Sequence, residues 1–148
     1  MAPMSTGRNA VALLVLAGAL LVAVAPGLAV AASGATKAAP SNFKVAVNGR
    51  TLTSAELAAG ADNYMSTKTG RTQVAVRWRN DLSGSGYYVL IVDSAGGTKH
   101  RCTTGTSCAA VGGKPLAVGN EVSWSIQIRR TAGNKLASEK VVCLIGKA

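Results

Sequence analysis

Acidic residues and histidine are scarce in this sequence. Its 148 residues include six Asp and Glu, sixteen Lys and Arg, and one histidine, His100. A hydrolase needs a nucleophile, a general base and a group that orients the base, and this composition leaves few combinations of that kind. Asp81 and Asp93 follow strand-like segments at turn-favouring positions, which is the usual structural use of aspartate. We therefore predict that the protein is not an enzyme.

Motifs for metal ions and phosphate-bearing cofactors are also missing. The three cysteines and His100 do not have the spacing of a zinc site. Gly84 and Gly86 lack the strand-to-helix context that a phosphate-binding loop requires. Cys102 lies two residues from His100, but a cysteine in a disulfide is neither a nucleophile nor a metal ligand. We expect no cofactor and no metal ion.

Long helical patterns are absent downstream of the N-terminal apolar run. The segment from Thr53 to Gly60 gives the one helix signal there, because Thr53 and Glu56 have capping-box spacing and Gly60 is a typical helix terminator. No segment has the length of a crossover helix, and neither a repeat nor a heptad pattern is present. A βαβ fold is therefore excluded.

The N-terminus has the order of a secretory signal peptide. Arg8 precedes an uninterrupted apolar run from residue 10 to 25, and small residues follow Pro26 and Gly27. Ala29-Val30-Ala31 predicts cleavage after Ala31. The apolar run is short for a membrane span of about 20 residues, so we expect secretion without a stable membrane anchor. We assign residues 1–31 to the signal peptide, 32–42 to a flexible arm without large apolar side chains, and 43–148 to one domain.

Positive charge dominates the exported part. Without Arg8, fifteen basic residues stand against six acidic ones, which gives a net charge of +9. Such a charge favours anionic partners, and outside a cell these are wall polymers, lipid head groups or acidic protein surfaces rather than nucleic acid. The alternative is a solubilising charge, because the basic residues are scattered and form no run longer than Arg129-Arg130.

All three cysteines lie in the exported part, where disulfides form. Cys102 and Cys108 are the favoured pair, because the sequence between them is typical of a tight turn that joins two strand ends as a hairpin. Closing so short a loop stabilises the fold by roughly 2.4 kcal/mol. Cys143 is then either a buried small hydrophobic residue or the site of an intermolecular disulfide.

Alternating apolar residues predict strands. Val74, Val76 and Trp78 share one face of a segment whose other face carries Gln73, Arg77 and Arg79, and Val122, Trp124, Ile126 and Ile128 alternate in the same way with polar residues. Residues 87–92 are apolar on both faces, as in a central strand. Short strands separated by Gly, Asn and Ser turns predict an all-β, antiparallel β-sandwich with both tryptophans in its core.

The outward arginines define a candidate contact surface. If their strands are neighbours in one sheet, Arg77, Arg79, Arg129 and Arg130 form a basic stripe for an anionic ligand. The alternative is ordinary solvent-facing strand charge.

The segment from Val74 to Leu144 resembles a fibronectin type III or immunoglobulin-like module. The resemblance rests on Trp78, on Tyr87-Tyr88, on Leu116 and Gly119 ahead of the strand from Val122 to Ile128, and on Ala137-Ser138-Glu139 before Val141-Val142. Val122 stands where such modules place a corner tyrosine. The chain looks like a variant from small secreted proteins of high-GC Gram-positive bacteria, and the resemblance implies recognition rather than catalysis.

Three functions remain open. The first is a non-enzymatic adaptor that binds a protein partner in a secreted assembly, similar in general type to the small adaptor of the umbrella toxins. The second is a wall-polymer or glycan-binding protein that uses a basic face. The third is a secreted inhibitor that presents the disulfide-braced loop Thr103, Thr104, Gly105, Thr106 and Ser107 to an enzyme.

Overall fold

The computed structural model describes residues 37–148. The predicted signal peptide, residues 1–31, and the first five residues of the predicted arm lie outside the described residues. None of the helices in the described part has the length and hydropathy needed to cross a membrane.

Nine strands, one α-helix and two short 3₁₀ turns make up the domain. The strands are β1 (Ser41–Val47), β2 (Arg50–Thr51), β3 (Tyr64–Lys68), β4 (Gly70–Arg79), β5 (Tyr87–Asp93), β6 (Lys99–Cys102), β7 (Ser107–Leu116), β8 (Glu121–Arg130) and β9 (Leu136–Lys147). Helix α1 spans Ser54–Ala59, and the 3₁₀ turns span Gly60–Asp62 and Ala132–Asn134.

The strands form two sheets that pack face to face. The four-stranded sheet has the order β2-β1-β4-β7, and the five-stranded sheet has the order β3-β9-β8-β5-β6. The prediction of an all-β sandwich is confirmed. One part of it needs correction, because β3 runs parallel to β9. The other ladders described are antiparallel.

The core lies between the sheets, at the positions that alternation predicts. Val74, Val76 and Trp78 of β4 are buried against Val122, Trp124, Ile126 and Ile128 of β8. Trp124 is fully buried and Trp78 is 6% exposed, so the expected core position of both tryptophans is confirmed. Each large apolar side chain buried in this way stabilises the fold by about 1.5–3 kcal/mol.

The predicted helix is present, with the predicted cap. Thr53 is the N-cap of α1, its hydroxyl accepts from the Glu56 amide, and the Glu56 carboxylate accepts from the Thr53 amide. These hydrogen bonds and the Arg50 guanidinium, 3.0 Å away, hold the pKa of Glu56 below its ordinary value. The 3₁₀ turn after α1 lies against β9, where the Cys143 thiol donates to the Ala61 carbonyl oxygen.

The predicted disulfide is present, but the predicted hairpin is wrong. Cys102 ends β6 in the five-stranded sheet, whereas Cys108 lies in β7 of the four-stranded sheet. The bridge therefore joins the edges of the two sheets, with a Cα–Cα distance of 6.1 Å. Because the pattern of residues 100–108 does not state which sheet each strand joins, sequence reasoning placed both in one ladder.

The first sheet begins earlier than the predicted domain boundary at residue 43. Ser41 pairs with Arg79, so the last two residues assigned to the arm belong to β1. Upstream, the Lys37 ammonium donates to the Ser83 carbonyl oxygen over 2.6 Å. The Asn80 amide donates to the Ala39 carbonyl oxygen over 3.0 Å. Residues 37–42 are thus in contact with the loop that follows β4.

Candidate binding surface

Charge is unevenly distributed between the two sheets. The strands of the four-stranded sheet contain no acidic residue and six basic ones: Lys44, Arg50, Arg71, Arg77, Arg79 and Lys114. The six acidic residues of the chain all lie elsewhere: Glu56, Asp62, Asp81, Asp93, Glu121 and Glu139. One layer of the sandwich is therefore purely cationic along its strands.

Two of these six cations are engaged within the domain. Arg50 forms the ion pair with Glu56, the one salt bridge among residues 37–148. Arg71 donates to the carbonyl oxygens of Gly112 and Gly113, each over 2.8 Å, and so ties β4 to β7. These two arginines support the fold and are not counted in the candidate surface.

Lys44, Arg77 and Arg79 project from the outer face of the four-stranded sheet. Val76 and Trp78 point into the core. Because successive side chains of a strand point to opposite faces, Arg77 and Arg79 point outward. Lys44 is the direct cross-strand partner of Arg77, and all three side chains are exposed. Like charges directly opposite each other destabilise a sheet, and no carboxylate in the described part of the chain compensates this pair.

A row of alanines lies beside these cations. Ala46 of β1, Ala75 of β4 and Ala109 of β7 are consecutive cross-strand partners. The short side chains of Ala46 and Ala75 line a depression of about 330 Å³ together with Lys44 and Arg77. We call the surface formed by Lys44, Arg77, Arg79, Ala46, Ala75 and Ala109 the basic face. Val111, 51% exposed, lies at its β7 edge.

The predicted stripe of four arginines is wrong. Arg129 and Arg130 lie on β8, in the other sheet. Arg129 donates to the Gln127 side-chain oxygen and to the Asn134 carbonyl oxygen, and Arg130 lies over the Tyr87 ring, 5.2 Å from its centroid. Sequence reasoning missed Lys44 as the actual neighbour of Arg77. The sequence shows that Lys44 alternates with the apolar residues Phe43 and Val45. It does not show the register of β1 on β4, which places Lys44 opposite Arg77.

The loop from Thr103 to Ser107 is held by its backbone. The Gly105 carbonyl oxygen accepts from the Leu82 amide and from the Trp78 indole nitrogen, over 3.0 and 3.1 Å. The Thr106 carbonyl oxygen accepts from the Trp78 amide. Exposed side chains at Thr103, Thr104, Thr106 and Ser107 remain outside these bonds. The carbonyl groups of Gly105 and Thr106 are therefore used within the domain, and these hydrogen bonds tie the loop to β4 and to Leu82.

His100 lies close to both sulfurs of the disulfide. Its ring and the sulfurs of Cys102 and Cys108 approach within 4.8 Å of one another. Because the sulfurs are bonded to each other, they are not thiolate ligands, and the imidazole is the one metal-binding group left at this position. Three residues that can bind metal ions therefore lie close together here, but the disulfide leaves only the imidazole available in the oxidised protein.

Asp93 fixes a close approach of two backbones. It is 1% exposed, and its carboxylate accepts from the Ala95 and Gly113 amides over 2.9 and 3.0 Å. A Cβ atom on Gly96 would lie 2.8 Å from the Cα atom of Gly113, so a side chain at Gly96 would force the two backbones apart. The turn role expected for Asp93 is confirmed, with an additional link to β7 that its sequence position does not reveal.

Asp81 anchors the neighbouring loop. Its carboxylate accepts from the Ser83 amide over 2.6 Å and from the Gly105 amide over 3.3 Å. Hydrogen bonds from the Ser83 hydroxyl and amide lower the pKa of Asp81 below its ordinary value. Both aspartates therefore organise turns: backbone amides donate to both carboxylate oxygens of Asp93 and to Oδ1 of Asp81.

Comparisons with known proteins give no relative for this chain. It matches no protein-family model, no curated protein and no solved structure. The likeness to fibronectin type III modules stays a prediction, and functional inference rests on the residues described above.

Proposed function

We propose that the domain is a secreted, non-enzymatic binding module whose basic face docks on an acidic surface of a protein partner. The observation that carries the proposal is the direct pairing of Lys44 with Arg77 in a sheet without any acidic residue. A carboxylate from a partner, placed between the two cations, removes their repulsion and gains charge-assisted hydrogen bonds.

The surface next to the cations favours a protein over a charged polymer. Protein interfaces combine an apolar centre with charged residues at the rim, and arginine is enriched in them. The basic face has this composition, because Ala46, Ala75 and Ala109 form a flat apolar floor and Val111 extends it to the sheet edge. A wall polymer has many charges but little apolar surface for such a floor.

Two further features support an extracellular recognition module. The disulfide is compatible with an oxidising compartment. The order of the strands, β1-β4-β7 in one sheet and β9-β8-β5-β6 in the other, supports the likeness to immunoglobulin-like sandwiches that the sequence suggests. Folds of this type are used widely for recognition, although a fold by itself does not fix a function.

Site-specific crosslinking tests the proposal. A photoreactive phenylalanine derivative replaces Val111, and the protein is irradiated in the culture medium of the organism that produces it. We expect one protein partner to be captured, and we expect Lys44→Glu with Arg77→Glu to reduce its yield at least tenfold. The matched control is Lys99→Glu with Lys135→Glu, two exposed lysines outside the basic face that should leave the yield unchanged.

A reciprocal exchange on the partner adds a second test. Changing acidic residues at the crosslinked site of the captured protein to lysine should restore capture by the Lys44→Glu, Arg77→Glu variant. Crosslinking to carbohydrate polymer alone, an absence of any product, or equal yields for the two double variants would overturn the proposal. The first of these outcomes would favour the wall-polymer alternative.

A further inference from the structure

A cleft of about 650 Å³, which shares no lining residue with the basic face, lies at one end of the sandwich. It is bounded by the turn between β1 and β2, by the β3–β4 connection and by the end of β9. Seven of its lining residues are polar or charged: Asn48, Arg50, Ser66, Thr67, Lys68, Thr69 and Lys147. Val47 and Leu144 contribute apolar surface.

The cations of this cleft come from three strands that meet only in the folded domain. Lys68 of β3 and Lys147 of β9 are direct partners in the parallel ladder, so their side chains leave the sheet on the same face. Arg50 of β2, in the opposite sheet, also lines the cleft, but its guanidinium is held by the Glu56 carboxylate and the Met65 sulfur. No Asp or Glu side chain lines the cleft, so Lys68 and Lys147 have no acidic partner there, whereas Arg50 is paired with Glu56.

Neutral hydrogen-bonding groups lie among these charges. Asn48 is fixed in orientation, because its side-chain oxygen accepts from the Gln73 amide over 2.8 Å and its amide donates to the Thr67 hydroxyl over 3.0 Å. The hydroxyl groups of Ser66 and Thr69 also line the cleft. Ammonium, guanidinium and hydroxyl donors around one cavity match a ligand with several acceptor oxygens and negative charge.

We propose that this cleft binds the phosphoryl group of a phosphate ester. A tetrahedral phosphoryl group offers acceptor oxygens to both lysines and offsets the repulsion between Lys68 and Lys147. The volume exceeds that of the phosphoryl group alone and leaves room beside Val47 and Leu144 for the organic part of the ester. The phosphoryl group can belong to a soluble ester or to a phospholipid head group.

Amide-resolved NMR titration of the purified, ¹⁵N-labelled protein tests this site. The probes are inorganic phosphate and glycerol 1-phosphate, followed by vesicles of phosphatidylglycerol with phosphatidylcholine vesicles as reference. We expect saturable shifts of the Asn48, Thr67 and Thr69 amides with glycerol phosphate. We expect Lys68→Gln with Lys147→Gln to weaken binding at least tenfold, and the control pair Lys99→Gln with Lys135→Gln to leave it unchanged.

The two ligand sources give different results. Tight binding of glycerol phosphate that vesicles do not surpass indicates a soluble ester, whereas a clear preference for phosphatidylglycerol vesicles indicates a lipid head group. The proposal is overturned if no saturable shift occurs, if the amides of Lys44 and Arg77 shift equally, or if the Lys68, Lys147 variant binds as tightly as the parent. Unchanged amide positions elsewhere in that variant verify that it is folded.

Discussion

Trp124 of the five-stranded sheet donates its indole N–H to the hydroxyl of Thr72 in the four-stranded sheet over 2.9 Å. Both side chains are almost fully buried, at 0% and 2% exposure. This hydrogen bond crosses the core and fixes the position of the largest buried side chain relative to the opposite sheet. Leaving the buried indole N–H without an acceptor would cost free energy of folding. The hydrogen bond therefore favours the one alignment of the two sheets that places Thr72 beside Trp124.

Replacing Thr72 with valine should destabilise the domain by about 1–3 kcal/mol, because the change keeps the side-chain shape but leaves the Trp124 indole N–H unpaired. Urea unfolding, followed by tryptophan fluorescence, measures the change in free energy. Thr72→Ser is the control: it keeps the hydroxyl acceptor and loses only a methyl group, so we expect it to cost less than Thr72→Val. A valine variant at least as stable as the serine variant would show that the hydrogen bond has no net value.

Reducing the Cys102–Cys108 bridge should lower the free energy of unfolding by about 2 kcal/mol without unfolding the domain. The bridge closes only a short loop, and the hydrogen bonds from Trp78 and Leu82 to Gly105 remain after reduction. Guanidinium unfolding of oxidised and reduced protein gives the difference, and a Cys102→Ala, Cys108→Ala variant should not respond to the reductant. Complete unfolding on reduction at 25 °C would mean that the link between sheet edges is indispensable.

Acid should weaken the anchor at Asp81. The folded-state pKa of this carboxyl is lowered, so its contribution is present above the unfolded value near pH 4 and disappears as the pH falls through the folded value. Stability should therefore decline below about pH 4. Asp81→Asn should make this loss of stability with falling pH shallower. Glu56 should account for part of the loss that remains, because its pKa is also lowered.

The measurement is the free energy of unfolding from pH 6 to pH 2 for the parent, Asp81→Asn and the control Asp62→Asn, which changes an exposed carboxylate in the 3₁₀ turn. A parent and an Asp81→Asn variant with parallel pH profiles would contradict the role assigned to the carboxylate.

Cys143 should react slowly with alkylating reagents in the native protein. Its side chain is 2% exposed beneath the 3₁₀ turn at Gly60–Asp62, and burial raises the pKa of the thiol, so little thiolate is present at neutral pH. We expect mass spectrometry to find iodoacetamide on Cys143 only after denaturation. A disulfide-linked dimer on a non-reducing gel, or alkylation as fast as in the unfolded chain, would instead favour the intermolecular disulfide left open by the sequence.

Strands with strong alternation were predictable, and the weakest strand was not. Large side chains are buried at every second position, three of them from Val74 to Trp78 and four from Val122 to Ile128. This alternation is visible in the sequence. In β3 only Met65 is buried, and its partner is the distant strand β9. A short strand with one buried residue has no periodic signal of its own, so β3 was not predicted.

The candidate surfaces show the same division. That Arg77 and Arg79 face solvent follows from their alternation with Val76 and Trp78. That Arg77 lies opposite Lys44 rather than beside Arg129 depends on β1 pairing with β4, and no local pattern contains that information. The cleft with Arg50, Lys68 and Lys147 was not predicted, because these residues are far apart in the chain.

The amino-acid sequence by itself determined the buried face of the alternating strands β4 and β8, the cap of α1 and the favoured pairing of Cys102 with Cys108, because alternation, capping and loop closure act over a few residues. Only the tertiary structure decided that the disulfide joins two sheets, that Thr72 meets Trp124, and which cations are neighbours. These relationships depend on strand order and register, which the packing of the whole core selects.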